Sequence, residues 1–277
     1  MQVSSLNPSQ IAGSISRIVG LHFEKTIFNL LNNNINIINN IINNFRDIRF
    51  NSIHNISILL VNQINNNDLN ILKNKYSSVN LNNIRFELPT DDKRAADIII
   101  LYQNRNKLYS IGIDTKKSKS SMTQLGKKSY ILLKDYLTDE ESEYLYKYLQ
   151  YDENKKRIWI NENIDEYKLQ ISNIICKLKY MWIHQRFDNN PLFYNHLIMI
   201  QNNNKLSFLD VEKLLFYLDY EFCFKRRTNF IFQTEYNNKN IPLVCIKPHG
   251  STKWNDVQLT IYKKAFSNKD IIFNIDL

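Results

Sequence analysis

The sequence predicts an α/β fold, with a mixed central β-sheet flanked by helices and a β-rich part at its C-terminal end. Three observations lead to this prediction. Apolar residues recur at three- and four-residue steps between Ser14 and Phe45, which is the spacing of a helix. Two short apolar segments between Ile98 and Ile113 flank a polar turn, and the last fifth of the chain alternates strand-like segments with turn residues.

Length and charge limit the possibilities further. The chain has 277 residues, which suits one large domain or a domain with an elaboration. We divide it into 1–137, an N-terminal helical and core part, and 138–277, a helical and β-rich part. The net charge of +9 suits a polyanionic partner such as nucleic acid, although a basic chain can also be merely soluble.

The sequence lacks the signals that are typical of several other classes of protein. With five glycines the chain shows no glycine-rich phosphate loop, and its three cysteines lack the spacing of a zinc site. No apolar stretch reaches the roughly 18 residues of a membrane span. The N-terminus has neither the charged nor the apolar region of a signal peptide. We therefore expect a cytoplasmic protein without a membrane partner.

The first predicted element is a helix, broken once at most, that carries Ile27, Leu31 and Ile38 on one stripe. Glu24 lies on the same stripe. An acidic side chain on the inward face of a helix needs a partner or a metal ion. Glu24 is therefore either part of a site or one half of an ordinary helix salt bridge.

Three further segments precede the central hairpin. Residues 56–61 can be a buried strand or a continuation of the helix, and periodicity does not decide between them. Asp68 is expected to cap a short helix that ends near Tyr76. Residues 84–88 are predicted to be a strand that Pro89 ends.

The hairpin predicts a cluster of charged side chains. A turn centred between Arg105 and Asn106 places Asp97 opposite Asp114. Because side chains alternate along a strand, Asp114 and Lys116 share one face and Thr115 points to the other. Two carboxylates and an ammonium group thus meet at one end of two apolar strands.

This cluster fits metal-dependent phosphodiester chemistry. Adjacent carboxylates repel each other unless a divalent cation lies between them, and an all-oxygen site favours Mg²⁺. Such an ion polarises a phosphoryl oxygen and acidifies bound water. Lys116 can orient the water or neutralise developing charge. The simpler alternative is a surface salt bridge at Asp114 and Lys116, with Asp97 capping a turn.

Asp97, sixteen intervening residues and then Asp114-Thr115-Lys116 resemble the motif of the PD-(D/E)xK nuclease superfamily, with Ala96 in place of the proline. The resemblance covers about residues 20–134. It implies a restriction-endonuclease-like fold in which Asp97, Asp114 and the Thr115 carbonyl bind Mg²⁺ and Lys116 positions the water. A glutamate of the first helix often faces the site in this family, which would give Glu24 a catalytic role.

The resemblance also implies a function. Size, basic charge and the C-terminal β-rich part resemble a type II restriction endonuclease, which cleaves double-stranded DNA at a short specific site as a homodimer. Two alternatives stay open: a structure-selective nuclease of the same superfamily, and a non-catalytic nucleic-acid-binding protein on that fold.

Candidate DNA contacts come from basic and polar residues near the hairpin and in the C-terminal part. Lysines and serines that follow the hairpin can bind phosphate at a helix entry, and the loop 247–256 combines groups that suit a DNA groove. The candidates are Lys93, Arg94, Lys117, Lys119, Arg226, Arg227, Lys247, His249, Lys253 and Asn255.

The remaining elements follow from the same patterns. Helices are predicted over 121–136, 139–150, 165–186 and 208–220. Strands are predicted over 157–160, 197–201, 230–233, 243–246, 257–262 and 271–275.

Overall fold

The structure is a computed structural model of the 277-residue chain. It describes residues 8–46, 53–79, 84–88, 96–116, 137–150, 162, 165–166, 169–170, 173, 190–192, 196–217, 222–224, 230–236, 239–249, 256–261 and 269–277. Of residues 8–10, 46 and 145–150, and of the described residues between 215 and 261, the backbone alone is described.

The described residues contain helices and strands in a mixed order. The helices are α1 (Pro8–Asn32), α2 (Ile35–Arg46), α3 (Asn66–Lys75), α4 (Asp139–Gln150) and α5 (Val211–Tyr217). The strands are β1 (Ile53–Leu60), β2 (Ile98–Asn104), β3 (Lys107–Lys116), β4 (Leu197–Asn202), β5 (Lys205–Asp210), β6 (Phe222–Phe224), β7 (Phe230–Tyr236), β8 (Lys239–His249), β9 (Asp256–Ile261) and β10 (Ile272–Asp276).

These strands form two sheets. The larger has six strands in the order β1-β2-β3-β4-β5-β10, and the smaller has four in the order β6-β7-β8-β9. In the larger sheet β3 and β4 run parallel, whereas every other neighbouring pair is antiparallel. The predicted mixed α/β architecture is confirmed at this level.

Strand β2 is covered on both faces of the larger sheet. Ile98, Ile100 and Tyr102 pack with α1 and α2, while Ile99 and Leu101 pack on the other side with α3. All five side chains are buried. A strand buried on both faces needs apolar residues at every position, which accounts for the unbroken Ile-Ile-Ile-Leu-Tyr run.

The predicted N-terminal helix with a single break is confirmed. The break lies at Asn33 and Asn34, where the Asn34 side chain accepts a hydrogen bond from the Ile37 amide at 3.3 Å and so begins α2. Its isoleucines retain helical spacing, and Ile38 and Ile42 are buried against the sheet. Burial of this stripe offsets the low helix propensity of the many asparagines.

The hairpin has the predicted register. Ile98 pairs with Ile113 and Asn104 pairs with Lys107, which leaves Arg105 and Asn106 as the two-residue turn. Arg105 adopts a φ of 51°, as tight hairpin turns require. The predicted helix over 139–150 is α4, and it begins with a capping box in which the Thr138 and Glu141 side chains each accept a hydrogen bond from the other's backbone amide.

Three local predictions in the first half of the chain are resolved or corrected. Residues 53–60 are the strand β1 and not a continued helix. The N-cap of α3 is Asn65, and Asp68 is the reciprocal partner of its capping box. Residues 84–88 form no strand. Phe86 is buried in the core on the side of the larger sheet that α3 covers, and the Glu87 carbonyl accepts a hydrogen bond from the Asn190 side chain.

Corrections in the second half concern where strands begin and belong. The helix predicted over 208–220 begins at Val211, because Phe208 and Leu209 pair with β4 and Asp210 accepts a bond from the Lys213 amide as a cap. The predicted strand 271–275 is β10, which joins the larger sheet beside β5 and not the C-terminal sheet. Residues 247–249, predicted as part of a loop, belong to β8.

Other predicted elements lie outside the described residues or are described in part. The helix over 121–136 and the strand over 157–160 lie outside them, whereas the hairpin of β7 and β8 and the strand β9 are present as predicted. In the part of the chain that the structure describes, no helix is both long enough and apolar enough to cross a membrane.

Candidate active site

The cluster predicted from the hairpin lies at one end of the larger sheet, where β2 begins and β3 ends. Asp97 is a bend residue directly before β2. Its amide donates to the Ile113 carbonyl at 3.0 Å, and its carbonyl accepts from the Val61 amide at 2.9 Å. Strand β3 on one side and the residue that follows β1 on the other therefore fix the backbone of Asp97.

The Asp97 carboxylate continues the hydrogen bonding of the hairpin beyond its last strand pair. Its Oδ2 atom accepts the Thr115 amide at 2.8 Å and the Thr115 hydroxyl at 3.1 Å. Thr115 is buried, so its amide needs a partner, and the β2 backbone supplies none at this position. The side chain of Asp97 takes the place of a strand carbonyl. Thr115, predicted to point away from the carboxylates, thus holds one of them.

Asp114 and Lys116 are joined directly. Lys116 Nζ lies 2.7 Å from Asp114 Oδ1. Asp114 is buried, with 8% of its surface exposed. Burial raises the pKa of the Asp114 carboxyl to about 7; the Lys116 ammonium opposes this rise, and the nearby Asp97 carboxyl adds to it. One ammonium group therefore compensates the two carboxyl groups incompletely.

Glu24 reaches the same cluster from α1. Burial lowers the pKa of Lys116, but the carboxylates of Asp114, Asp97 and Glu24 together raise it above its ordinary value. Glu24 Oε2 also accepts a hydrogen bond from Asn62 Nδ2 at 3.0 Å. Glu24 is half-buried, and its charge acts on the Lys116 ammonium group.

Asn62 is the residue of this site that the sequence did not indicate. It lies in the 3-10 turn Val61–Gln63, which follows β1 beside Asp97. The chain is rich in asparagine, so the residue type carried little information. Recognition of residues 53–60 as a strand antiparallel to β2 would have placed its end next to Asp97.

Of the candidate DNA-contacting residues, the structure describes the backbone of two. Lys247 and His249 lie on β8, and their side chains are not described. The others lie outside the described residues: Lys93, Arg94, Lys117, Lys119, Arg226, Arg227, Lys253 and Asn255.

The donor set fits a hard divalent cation. Two carboxyl groups are adjacent here, and one of them is buried with a raised pKa. A bound cation would offset the repulsion between their ionised forms. Among the described residues no group of three or more His, Cys, Asp or Glu side chains is arranged to hold a metal ion. A metal here would be held by Asp97 and Asp114 with main-chain oxygen and water, as Mg²⁺ allows.

Searches of protein-family models and of curated proteins found no match for this chain. The residues of the site are therefore what indicates the class of protein.

Proposed function

We propose that the chain is a Mg²⁺-dependent nuclease of the PD-(D/E)xK type. The observation that carries the proposal is the register of the hairpin. It sets Asp97 opposite Asp114 and leaves Lys116 bonded to Asp114 at the end of a buried sheet. A salt bridge between Asp114 and Lys116 alone would not require a second acid, Asp97, fixed close by through two hydrogen bonds from Thr115.

Each residue has a role in the proposed chemistry. Asp97 and Asp114 would hold the ion, with the Thr115 carbonyl as a further oxygen ligand. When bound, Mg²⁺ supplies Lewis acidity at a phosphoryl oxygen and lowers the pKa of water. Lys116 carries a fixed positive charge beside this position, where it orients the attacking water and offsets charge on the phosphoryl group. Glu24, held by Asn62, restrains the Lys116 ammonium or serves a second ion.

The finer proposal is a type II restriction endonuclease, which cuts double-stranded DNA at a short sequence as a homodimer. The net charge of +9 supports a polyanionic substrate. The separate four-stranded sheet supports it too, since a minimal structure-selective nuclease would not need such an addition. The restriction-endonuclease-like assignment of the six-stranded sheet belongs to this same proposal.

The experiment compares cleavage and binding in one pair of proteins. Wild type and Asp114→Asn are incubated with duplex DNA and Mg²⁺ for cleavage, and with Ca²⁺ for binding by gel shift. We expect the variant to lose cleavage by at least about 100-fold while it still binds DNA. Unchanged cleavage would refute the site. Binding by both proteins without cleavage by either would favour the non-catalytic alternative.

The two nuclease alternatives are separated by the substrate. Linear duplexes and four-way junctions of the same sequence are offered in equal amounts. Cleavage at discrete positions in the linear duplex supports the site-specific enzyme, whereas cleavage confined to the junction supports the structure-selective one.

A further inference from the structure

We infer that the Thr115 hydroxyl positions Asp97 for the metal ion, so that Thr115 sets the metal affinity of the site through its side chain. This inference rests on the proposed function. It adds a role to a residue for which the resemblance implies a backbone carbonyl alone.

The geometry gives the physical reason. Both donors of Thr115 bond the same oxygen, Oδ2, from the amide at 2.8 Å and from the hydroxyl at 3.1 Å. A single hydrogen bond restricts rotation of the carboxylate about its Cβ–Cγ axis less than two hydrogen bonds do. Two donors on one side restrict that turn, which fixes the direction in which the other oxygen, Oδ1, points.

The Thr115 hydroxyl also lowers the electrostatic free energy of two neighbouring carboxylates. Asp97 and Asp114 lie directly beyond the last pair of the hairpin, Ile98 and Ile113, so their carboxylates lie close together and repel each other when both are ionised. Donors on Asp97 Oδ2 stabilise its anionic form. Thr115 is buried, so these bonds form away from competing water.

Thr115 is therefore a positioning residue. Groups that orient a metal ligand typically change metal affinity by about 10–100-fold when they are removed. Thr115→Val keeps the β-branched shape that suits a strand and keeps the amide bond to Asp97, but it removes the hydroxyl. Thr115→Ser restores the hydroxyl on a smaller side chain.

The test measures Mn²⁺ binding without DNA, by electron paramagnetic resonance of the free ion, on wild type, Thr115→Val and Thr115→Ser. The matched control is Thr26→Val, since the Thr26 hydroxyl bonds the His22 carbonyl within α1 and not an acid of the site. We expect the dissociation constant for Mn²⁺ to rise about 10-fold or more in Thr115→Val. It should stay near the wild-type value in Thr115→Ser and Thr26→Val.

A second readout separates positioning from general damage. The Mg²⁺ concentration for half-maximal DNA cleavage should rise in Thr115→Val by the same factor and return to the wild-type value in Thr115→Ser. If Thr115→Val does not fold, as judged by circular dichroism, Thr115→Ala against Thr115→Ser gives the same comparison.

The outcomes separate this inference from the proposed function. Equal Mn²⁺ affinity in wild type and Thr115→Val, with Mg²⁺-dependent cleavage intact, overturns the role of the hydroxyl and leaves the nuclease standing. Absence of both Mn²⁺ binding and cleavage in wild type overturns both.

Discussion

Lys116 Nζ lies 2.7 Å from Asp114 Oδ1, on the same strand two residues away. Strand geometry directs the two side chains to the same face, so their contact follows from their spacing. What the spacing does not provide is the burial of Asp114 and the approach of Asp97 and Glu24. Burial lowers the pKa of Lys116, but the charges of Asp114, Asp97 and Glu24 raise it above its ordinary value and keep the ammonium group charged.

The first prediction concerns this charge. Lys116→Met should reduce the single-turnover rate of DNA cleavage by at least about 100-fold, because a fixed charge beside the phosphoryl group is removed. DNA binding in Ca²⁺ should change little. The matched control is Lys107→Met at the other end of β3, where the side chain is exposed. Equal loss of cleavage in both variants would argue against a specific role for Lys116.

The second prediction concerns the structural role of Asp97. Asp97→Ala removes the acceptor of the buried Thr115 amide and should lower the free energy of unfolding by about 1–3 kcal/mol. Asp97→Asn keeps an acceptor oxygen and should cost less, yet it should lose cleavage as Asp97→Ala does. Urea denaturation in metal-free buffer measures the difference. Equal stability of the two variants would contradict the bond between Asp97 and Thr115.

The third prediction concerns Asn62 and Glu24. Asn62→Ala should lower kcat/KM for cleavage by about 10-fold, because Glu24 loses the group that holds it. The double variant with Glu24→Gln should be no worse than Glu24→Gln alone, since both changes act through one interaction. Gln63→Ala is the control in the same turn. Additive losses would show that Asn62 acts independently of Glu24.

The hairpin and the first helix could be predicted because their signals are local. The turn at Arg105 and Asn106 sets the pairing of Ile98 with Ile113, directly beyond which Asp97 and Asp114 lie, and the isoleucine spacing sets α1 and α2. Asn62 could not be predicted, because its place depends on the pairing of β1 with β2 across more than thirty residues of chain. Residues 84–88 have the composition of a strand, but Glu87 bonds a side chain and not a neighbouring strand.

The position of Phe208 in a strand could not be predicted, for a related reason. Its apolar neighbours suit either a helix or a strand, and pairing of β5 with both β4 and β10 decides for the strand. The Asp210 cap then starts α5. Local pattern therefore predicted which segments are regular, and long-range pairing determined their type and their neighbours.

The fourth prediction concerns Tyr76, which is fully buried under the larger sheet. Its hydroxyl bonds the Asn55 carbonyl at 2.6 Å and the Ser57 hydroxyl at 3.0 Å. Tyr76→Phe should lower the free energy of unfolding at pH 7 by about 1 kcal/mol. Urea denaturation at pH 7 checks this, and a loss within 0.2 kcal/mol of zero, roughly the error of such comparisons, would contradict the hydrogen bonds.

The contribution of Tyr76 to the free energy of unfolding should also depend on pH. Burial raises the pKa of Tyr76 to about 12, with the Ser57 hydrogen bond opposing that rise. An acid whose pKa is higher in the folded protein contributes stability below its unfolded pKa of 10.0 and loses it as the pH rises through 12. Wild type should therefore lose more stability than Tyr76→Phe between pH 10 and 12. Parallel pH profiles of the two proteins would show that Tyr76 titrates normally.

The most direct measurement is a digest of long, unmodified DNA of known sequence with Mg²⁺, in which wild type is run beside Asp114→Asn. The proposed site predicts discrete fragments from wild type and intact DNA from the variant, and the fragment ends would give the sequence that is cut. Intact DNA with both proteins, or the same fragments from both, would contradict the assignment of Asp97, Asp114 and Lys116 as a nuclease site.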